Sequence, residues 1–249
     1  MRRFYIAPEK LTEIEVIIRG DEFKHLAFVL RLKPEEEVYL FDGEGREYKG
    51  LLKRVDKDHA VVELVEQLAA SRESPLQLYL VQGIAKGEKM DLVIQKATEL
   101  GVCGVIPLQA ERSIVRLSAE KKEERRERWQ RVALEAAKQC RRTKIPAVAS
   151  PQSLEEYLQG LPEERLLLIP WEEGGTPLKT VLSDPAMKAY KDKQIHVLIG
   201  PEGGWEFAEV ARVLACGAVA VSLGPRILRT ETASIATLAV IMHQWGDLG

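Results

Sequence analysis

Two turns near the C-terminus bring together residue types that could do chemistry. The first is Ile199–Gly204 (IGPEGG) and the second Leu223–Ala233 (LGPRILRTETA). Each follows a short apolar run, residues 195–199 (IHVLI) and 218–223 (AVAVSL), that reads as a buried parallel strand. Strands ending in glycine-dense turns present bare main-chain amides and carbonyls at one edge of a sheet, where ligands of open α/β sheets bind. The second turn adds Arg226, Arg229 and Glu231, a cation–carboxylate combination that could stabilise developing negative charge or move a proton. The same glycines could equally do no more than shape tight strand-to-helix connections.

What those glycines hold is narrowed by what is missing. Neither the phosphate-loop string G-x-x-x-x-G-K-[ST] nor the dinucleotide fingerprint G-x-G-x-x-G occurs. Glu202, in the middle of the first turn, would repel a pyrophosphate. An uncharged heterocycle read by backbone hydrogen bonds suits the turns better than a polyphosphate.

Composition sets the outer bounds. The 249 residues are 45% hydrophobic and 30% charged, enough for one large or two small globular domains. Cys103, Cys140 and Cys216 are far apart and form no CxxC pair, so neither a disulfide framework nor a zinc site is expected. The four histidines are scattered without an HExxH string, and the expectation is a metal-free protein. No apolar run approaches bilayer length and the N-terminus lacks the apolar core of a signal peptide, so a soluble, cytoplasmic protein is expected. The net charge of −2 is uneven: −3 over residues 1–70, +6 over 71–150 and −5 over 151–249. The basic excess allows local, salt-sensitive binding to a phosphate backbone. In 120–131 the basic residues alternate with glutamates as on a solvated helix face. Arg141, Arg142 and Lys144 lack acidic sequence neighbours and are stronger RNA candidates.

The elements that must position these residues fall into two patterns. Residues 1–70 read as short strands (13–18, 38–41, 48–55, 60–64) plus a helix over 21–31 with Phe23, Leu26, Ala27 and Leu30 on one face, which suggests a small barrel. The polar, proline-ended segment 69–75 is the expected boundary. From residue 76 strands and helices alternate: strands at 76–81, 102–108, 166–169, 195–199 and 218–223; helices at 90–100, from Ser118 to about 140, and at 207–215, and a last one beginning near Thr230–Thr232. Alternation of this kind means a parallel sheet covered by helices on both sides, which general rules would wind without a thread. Thr230 and Thr232 are candidate caps of the last helix.

IGPEGG, LGPRILRTETA and the closing GDLG (246–249) resemble the family of 16S ribosomal RNA (uracil-N3)-methyltransferases, members of the SPOUT class. In the same order ESP (73–75), GEKM (87–90), QKATELGV (95–102), ERS (111–113) and QCRRTKIP (139–146) agree, as do His25, VLRL (29–32) and FDG (41–43). The likeness spans nearly the whole chain, with one departure: Arg141 stands where the resemblance implies a small residue, commonly Gly. The resemblance implies a PUA-like RNA-binding β-barrel over 1–70 and a SPOUT methyltransferase domain over 75–249. The latter would be α/β, with a C-terminal parallel sheet carrying a deep trefoil knot, its loops after Ile169, Ile199 and Leu223 meeting at the ligand. It further implies S-adenosylmethionine as cofactor, methylation of N3 of one uridine in 16S rRNA of the small ribosomal subunit, and a homodimer through the knotted domain.

Within that reading, main-chain groups of Ile199, Gly200, Gly203, Leu223, Gly224 and Leu228 hold the cofactor, and Pro170 and Ile227 line its adenine slot. Uracil N3 carries a hydrogen whose loss spreads negative charge over O2 and O4; Arg229 is the first candidate to meet it, with Arg226, Arg112 and Arg142 behind. Glu231 could take the proton, or orient Arg229 or a backbone amide, or leave the proton to solvent; its place in a first helical turn lowers its basicity. Arg2, Arg3, His25 and Arg31 in the barrel, with Arg112, Arg141 and Arg142, are the RNA-binding candidates. Two other classes compete: a non-catalytic RNA-binding or ribosome-assembly factor, which would have no use for the Arg229–Glu231 loop, and a nucleotide-dependent oxidoreductase, which would need the missing fingerprint.

Overall fold

The computed structural model describes residues 2–11, 14–69, 72–113 and 117–249. The chain divides into two compact units, residues 1–73 with 137–145, and residues 74–136 with 146–249. Of the proposed boundary segment, Ala70 and Ser71 lie outside the described residues, as does Glu13 at the start of an expected strand.

The first unit is a curled five-stranded sheet in the order β1-β3-β4-β5-β2: β1 (Arg3–Tyr5), β2 (Glu15–Ile18), β3 (Glu37–Phe41), β4 (Glu47–Val55) and β5 (Ala60–Leu68). Alternation puts Val16, Ile18, Val38, Leu40, Leu52 and Val62 on the inner face, where Phe4, Phe23 and Leu26 join them. The helix expected over 21–31 is instead α1 (Gly20–Lys24) continued by a π-helical turn over 25–29. It ends where Arg31 turns left-handed (φ 52°), and Phe28 and Val29 are left 65% and 70% exposed.

Residues 137–145 belong to this unit although they lie far along the chain, and buried charge explains why. Arg3 donates to Glu47 at 2.6 Å, to the Arg142 carbonyl at 2.6 Å and to the Ala137 carbonyl at 3.3 Å, with its guanidinium 3.7 Å from the centroid of Phe41. Glu73 accepts from Arg142 at 2.8 Å and from the amides of Thr143 and Lys144, and Lys138 donates to Glu22 at 2.7 Å. Burial pushes the Glu73 carboxyl up, but the Arg142 and backbone donors outweigh it and hold it below the ordinary glutamate value.

The second unit is a parallel sheet in the order β11-β13-β10-β12-β6-β7-β8, with β9 also on β7: β6 (Gln77–Gly83), β7 (Gly104–Gln109), β8 (Ala147–Val148), β9 (Gln152–Ser153), β10 (Arg165–Pro170), β11 (Thr176–Pro177), β12 (Gln194–Ile199) and β13 (Val219–Ser222). Its helices are α2 (Lys89–Glu99), α3 (Ala119–Cys140, whose last turn falls in the first unit), α4 (Leu154–Gln159), α5 (Leu178–Ser183), α6 (Pro185–Lys188), α7 (Phe207–Ala215) and α8 (Thr230–Trp245). Strand residues are buried on both faces, as parallel sheets require: Leu167, Ile169 and Leu198 pack with Trp205, Val210 and Val213, while Leu78, Leu80, Leu168 and Val197 are also fully buried.

Strand β13 lies on the far side of β10 from β12, yet α8, which follows it, packs on α2 and β12. The chain therefore crosses back over the strand ends between Leu223 and Arg229, the crossing on which the implied threaded topology depends.

Candidate active site

Three loops gather at the C-terminal ends of the central strands: 171–175 after β10, 200–206 after β12 and 223–229 after β13. Between them lies a cleft of about 380 Å³, with Pro170, Ile199, Gly200, Gly203, Ile227, Leu228 and Arg229 in its wall. A smaller one of about 180 Å³ adjoins it and adds Leu223, Gly224 and Arg226. Every residue expected to hold a cofactor thus borders this connected space. Ile227 is 85% exposed, a large apolar side chain with its face open at the lip.

The glycines have distinct reasons. A Cβ on Gly203 would press on Arg112 at 3.1 Å, and Gly204 holds φ 71° with Glu172 beside it. Gly224, at φ 107°, makes the turn out of β13, its amide donating to the Ser222 hydroxyl at 3.3 Å. Gly83, at the end of β6, was not singled out by sequence: a Cβ there would lie 2.5 Å from the Pro201 nitrogen, so the IGPEGG turn packs directly on that strand end.

Arg229 is the N-cap residue of α8, exposed, and without an ion-pair or side-chain hydrogen-bond partner among the described residues. It does not bridge to Glu231. Glu231 lies in the first turn, its Oε2 buried with no hydrogen-bond partner among the described residues and Lys89 Nζ 4.0 Å away. Lys89 also donates to Glu202 at 3.3 Å, and the Lys86 amide donates to the same Glu202 oxygen at 3.0 Å. Burial raises the Glu202 carboxyl, but those donors prevail and hold it below its ordinary value.

Thr230 does not cap the helix. Its hydroxyl donates to the Gly200 carbonyl at 2.6 Å and accepts from Gln82 Nε2 at 2.9 Å. Gln82, Lys89 and Glu172 are the site residues that sequence reasoning missed. The one available signal was Gln82, a polar residue directly after the apolar run Leu80–Val81, although GEKM marked the neighbourhood of Lys89.

The arginine candidates divide by depth. Arg3 and Arg142 are buried, 2% and 5% exposed, and their guanidinium groups are engaged inside the first unit, which is a structural role and corrects the expectation that they face RNA. Arg112 is exposed but donates to Glu206 at 2.6 Å and to the Gly203 carbonyl at 3.1 Å, so it braces the glycine turn. Arg2 is exposed and paired with Glu36 at 2.7 Å. His25 is half-buried and packs edge-on to Phe4 at 5.9 Å. Arg31 and Arg141 are exposed and left-handed (φ 52° and 67°), each following the end of a helix. The φ at Arg141 is the physical reason a glycine is expected there.

Comparison with known proteins bears on both units. The sequence model of an RNA methyltransferase domain matches residues 72–242, and that of an RNA methyltransferase PUA domain matches 18–65. The chain is 34% identical to ribosomal RNA small subunit methyltransferase E of Bacillus subtilis over 98% of its length and 97% of the relative's. It is 33% identical to the protein of that name from Aquifex aeolicus, over 92% of this chain and 94% of the other. The crystal structure of the Neisseria gonorrhoeae enzyme of that name, bound to S-adenosyl methionine, superposes with a TM-score of 0.90 at 33% identity over the full length of both chains.

Proposed function

The chain belongs to the RNA methyltransferase family that joins a PUA domain to a methyltransferase domain, and from that membership we propose that it transfers a methyl group from S-adenosylmethionine to N3 of one uridine in 16S rRNA of the small ribosomal subunit. The observation that carries this reading is the convergence of three post-strand loops on a cleft walled by main chain, with an exposed, uncommitted arginine at its rim. Main-chain groups of Ile199, Gly200, Gly203, Leu223, Gly224 and Leu228 would hold the cofactor, and Pro170 and Ile227 would flank its adenine. When bound, S-adenosylmethionine supplies a methyl group already activated by its sulfonium.

The tasks left to the chain are alignment of the acceptor and management of charge. Arg229 meets the negative charge that develops on the uracil oxygens as N3 loses its proton. Glu231 either takes that proton or, with Lys89, orients the first turn of α8. The variant Glu231→Gln separates these roles: loss of a proton acceptor changes the pH profile of kcat, whereas loss of orientation lowers kcat at every pH. The exposed Arg2, Arg31 and Arg141 of the first unit would grip RNA phosphates, and the protein would act in the cytoplasm as a homodimer through its second unit.

Mass spectrometry of 16S rRNA from a strain lacking the gene tests the substrate and the reaction together. Loss of one N3-methyluridine is the expected result; its persistence would reject the reading. Calorimetric titration of the purified protein with S-adenosylmethionine tests the cofactor separately, and absence of heat and of a thermal shift would reject it.

A further inference from the structure

A buried polar relay joins the cofactor turn to the helix that carries the candidate catalytic residues. Gln82 is fully buried at the end of β6. Its amide nitrogen donates to the Gly83 carbonyl at 2.9 Å and to Thr230 Oγ1 at 2.9 Å, and its amide oxygen lies 2.5 Å from the Ser234 hydroxyl. The Gly83 carbonyl fixes which way the amide faces, because the opposite orientation would set two acceptors against each other. Since Thr230 Oγ1 accepts from Gln82, its single proton is directed to the Gly200 carbonyl at 2.6 Å. Ser234, one turn on and also fully buried, has a single proton for two acceptors, the Gln82 oxygen at 2.5 Å and the Thr230 carbonyl at 2.8 Å, and so ties Gln82 to the same helical turn. The links from Gln82 through Thr230 to Gly200 each have one direction, so they tie Gly200 to the first turn of α8.

Arg229 and Glu231 are the residues on either side of Thr230. We infer that Gln82 and Thr230 are positioning residues for methyl transfer: they hold the Gly200 main chain and the Arg229–Glu231 turn as one rigid piece, so that cofactor and acceptor meet in line. A polar circuit buried this deeply is costly unless every member is satisfied. An apolar pair would fill the same space without directing a carbonyl. The inference rests on the reading in the preceding section, to which it assigns the residues that set the geometry.

The test compares Thr230→Val with Thr230→Ser in the full-length protein, measuring thermal stability, S-adenosylmethionine affinity, rRNA affinity and kcat. Thr230→Val leaves one N–H of the Gln82 amide and the Gly200 carbonyl without the hydroxyl they bond, and roughly a tenfold to hundredfold fall in kcat is expected, by the size of an unmade buried hydrogen bond. Cofactor affinity should fall with it and rRNA affinity should not. Thr230→Ser keeps the hydroxyl and should restore kcat to within about threefold of the parent, a loss of under 1 kcal/mol. A folded Thr230→Val protein with a lowered melting temperature but parental kcat and cofactor affinity would reduce the relay to a purely structural device and overturn the inference. Should Thr230→Val fail to fold, Ser234→Ala, which frees the Gln82 oxygen while leaving Thr230 in place, decides the matter: a fall in kcat supports the relay and an unchanged kcat rejects it. A parent protein that neither binds S-adenosylmethionine nor methylates ribosomal RNA would reject the preceding reading itself, and is distinguished from the failure of the relay by the parent's own values.

Discussion

The two units use the same residue type in opposite ways. In the first, Arg3 and Arg142 are sunk below the surface, each matched to a carboxylate, and Arg3 also donates to two backbone carbonyls. In the second, Arg229 stands open at the rim of a cleft with no partner among the described residues, beside an isoleucine that is 85% exposed. A guanidinium buried against a carboxylate can hold distant segments together but is closed off from a ligand. One left uncommitted contributes little to folding and keeps its charge available where negative charge develops. On the proposed function, stability and reactivity would be drawn from different arginines, and substitution would pull them apart.

The contrast is broken most forcefully at Arg3. Arg3→Ala leaves the buried Glu47 with Arg72, 3.6 Å from its other oxygen, as its remaining cationic partner, and should cost about 3 kcal/mol of stability in denaturant unfolding. Cofactor affinity of the protein that remains folded should be unchanged, and a stable variant would show that the buried pair does not hold the first unit. Arg229→Ala should do the reverse. A fall in kcat of about a hundredfold or more is expected, with a stability change within about 0.5 kcal/mol; parental methylation by this variant would remove Arg229 from the mechanism.

Arg141 sharpens the comparison, because it sits in the first unit yet is exposed, like Arg229. A left-handed non-glycine residue costs about 1–2 kcal/mol, partly offset by the flexibility glycine adds to the unfolded chain, so Arg141→Gly should raise stability by about 0.5–1 kcal/mol. If Arg141 also touches a phosphate, the same variant should bind RNA more weakly, with a salt dependence shallower by about one ion. Higher stability with unaltered RNA affinity would leave Arg141 without an RNA role.

The smallest effect expected is at Glu202. Its carboxyl is held below the ordinary glutamate value in the folded protein. The tie to Lys86 and Lys89 therefore contributes fully above the unfolded-state value and is lost as pH falls through the lower folded one. Thermal stability followed from neutral into acid should decline slightly less steeply in Glu202→Gln than in the parent; identical slopes would show that this tie does not contribute.

Much of this was legible in the chain. Apolar runs located the central strands to within one or two residues, because a parallel strand buried on both faces has few other ways to be written. The glycine turns disclosed the cleft, since Gly203 and Gly204 in IGPEGG and Gly224 in LGPRILRTETA stand at close approaches or φ values that side chains resist. The helix over 21–31 was less well foreseen, as its apolar spacing does not distinguish an α-helical from a π-helical turn or say that Phe28 would remain exposed. Thr230 looked like a cap because Thr is common there, but the Gly200 carbonyl, thirty residues away, was the better acceptor.

By itself, then, the sequence determined what depends on neighbours along the chain: which segments become strands and helices, where the backbone needs glycine, and which residue types stand in the turns. Tertiary structure alone decided which arginine is buried and which is free, that Gln82 reaches Thr230 across 148 positions, and that residues 137–145 are claimed by Arg3 and Glu73. The reason is physical. Periodicity records only whether a residue faces inward, whereas the fate of a charge or an amide depends on the partner that a distant strand or loop brings within hydrogen-bonding distance.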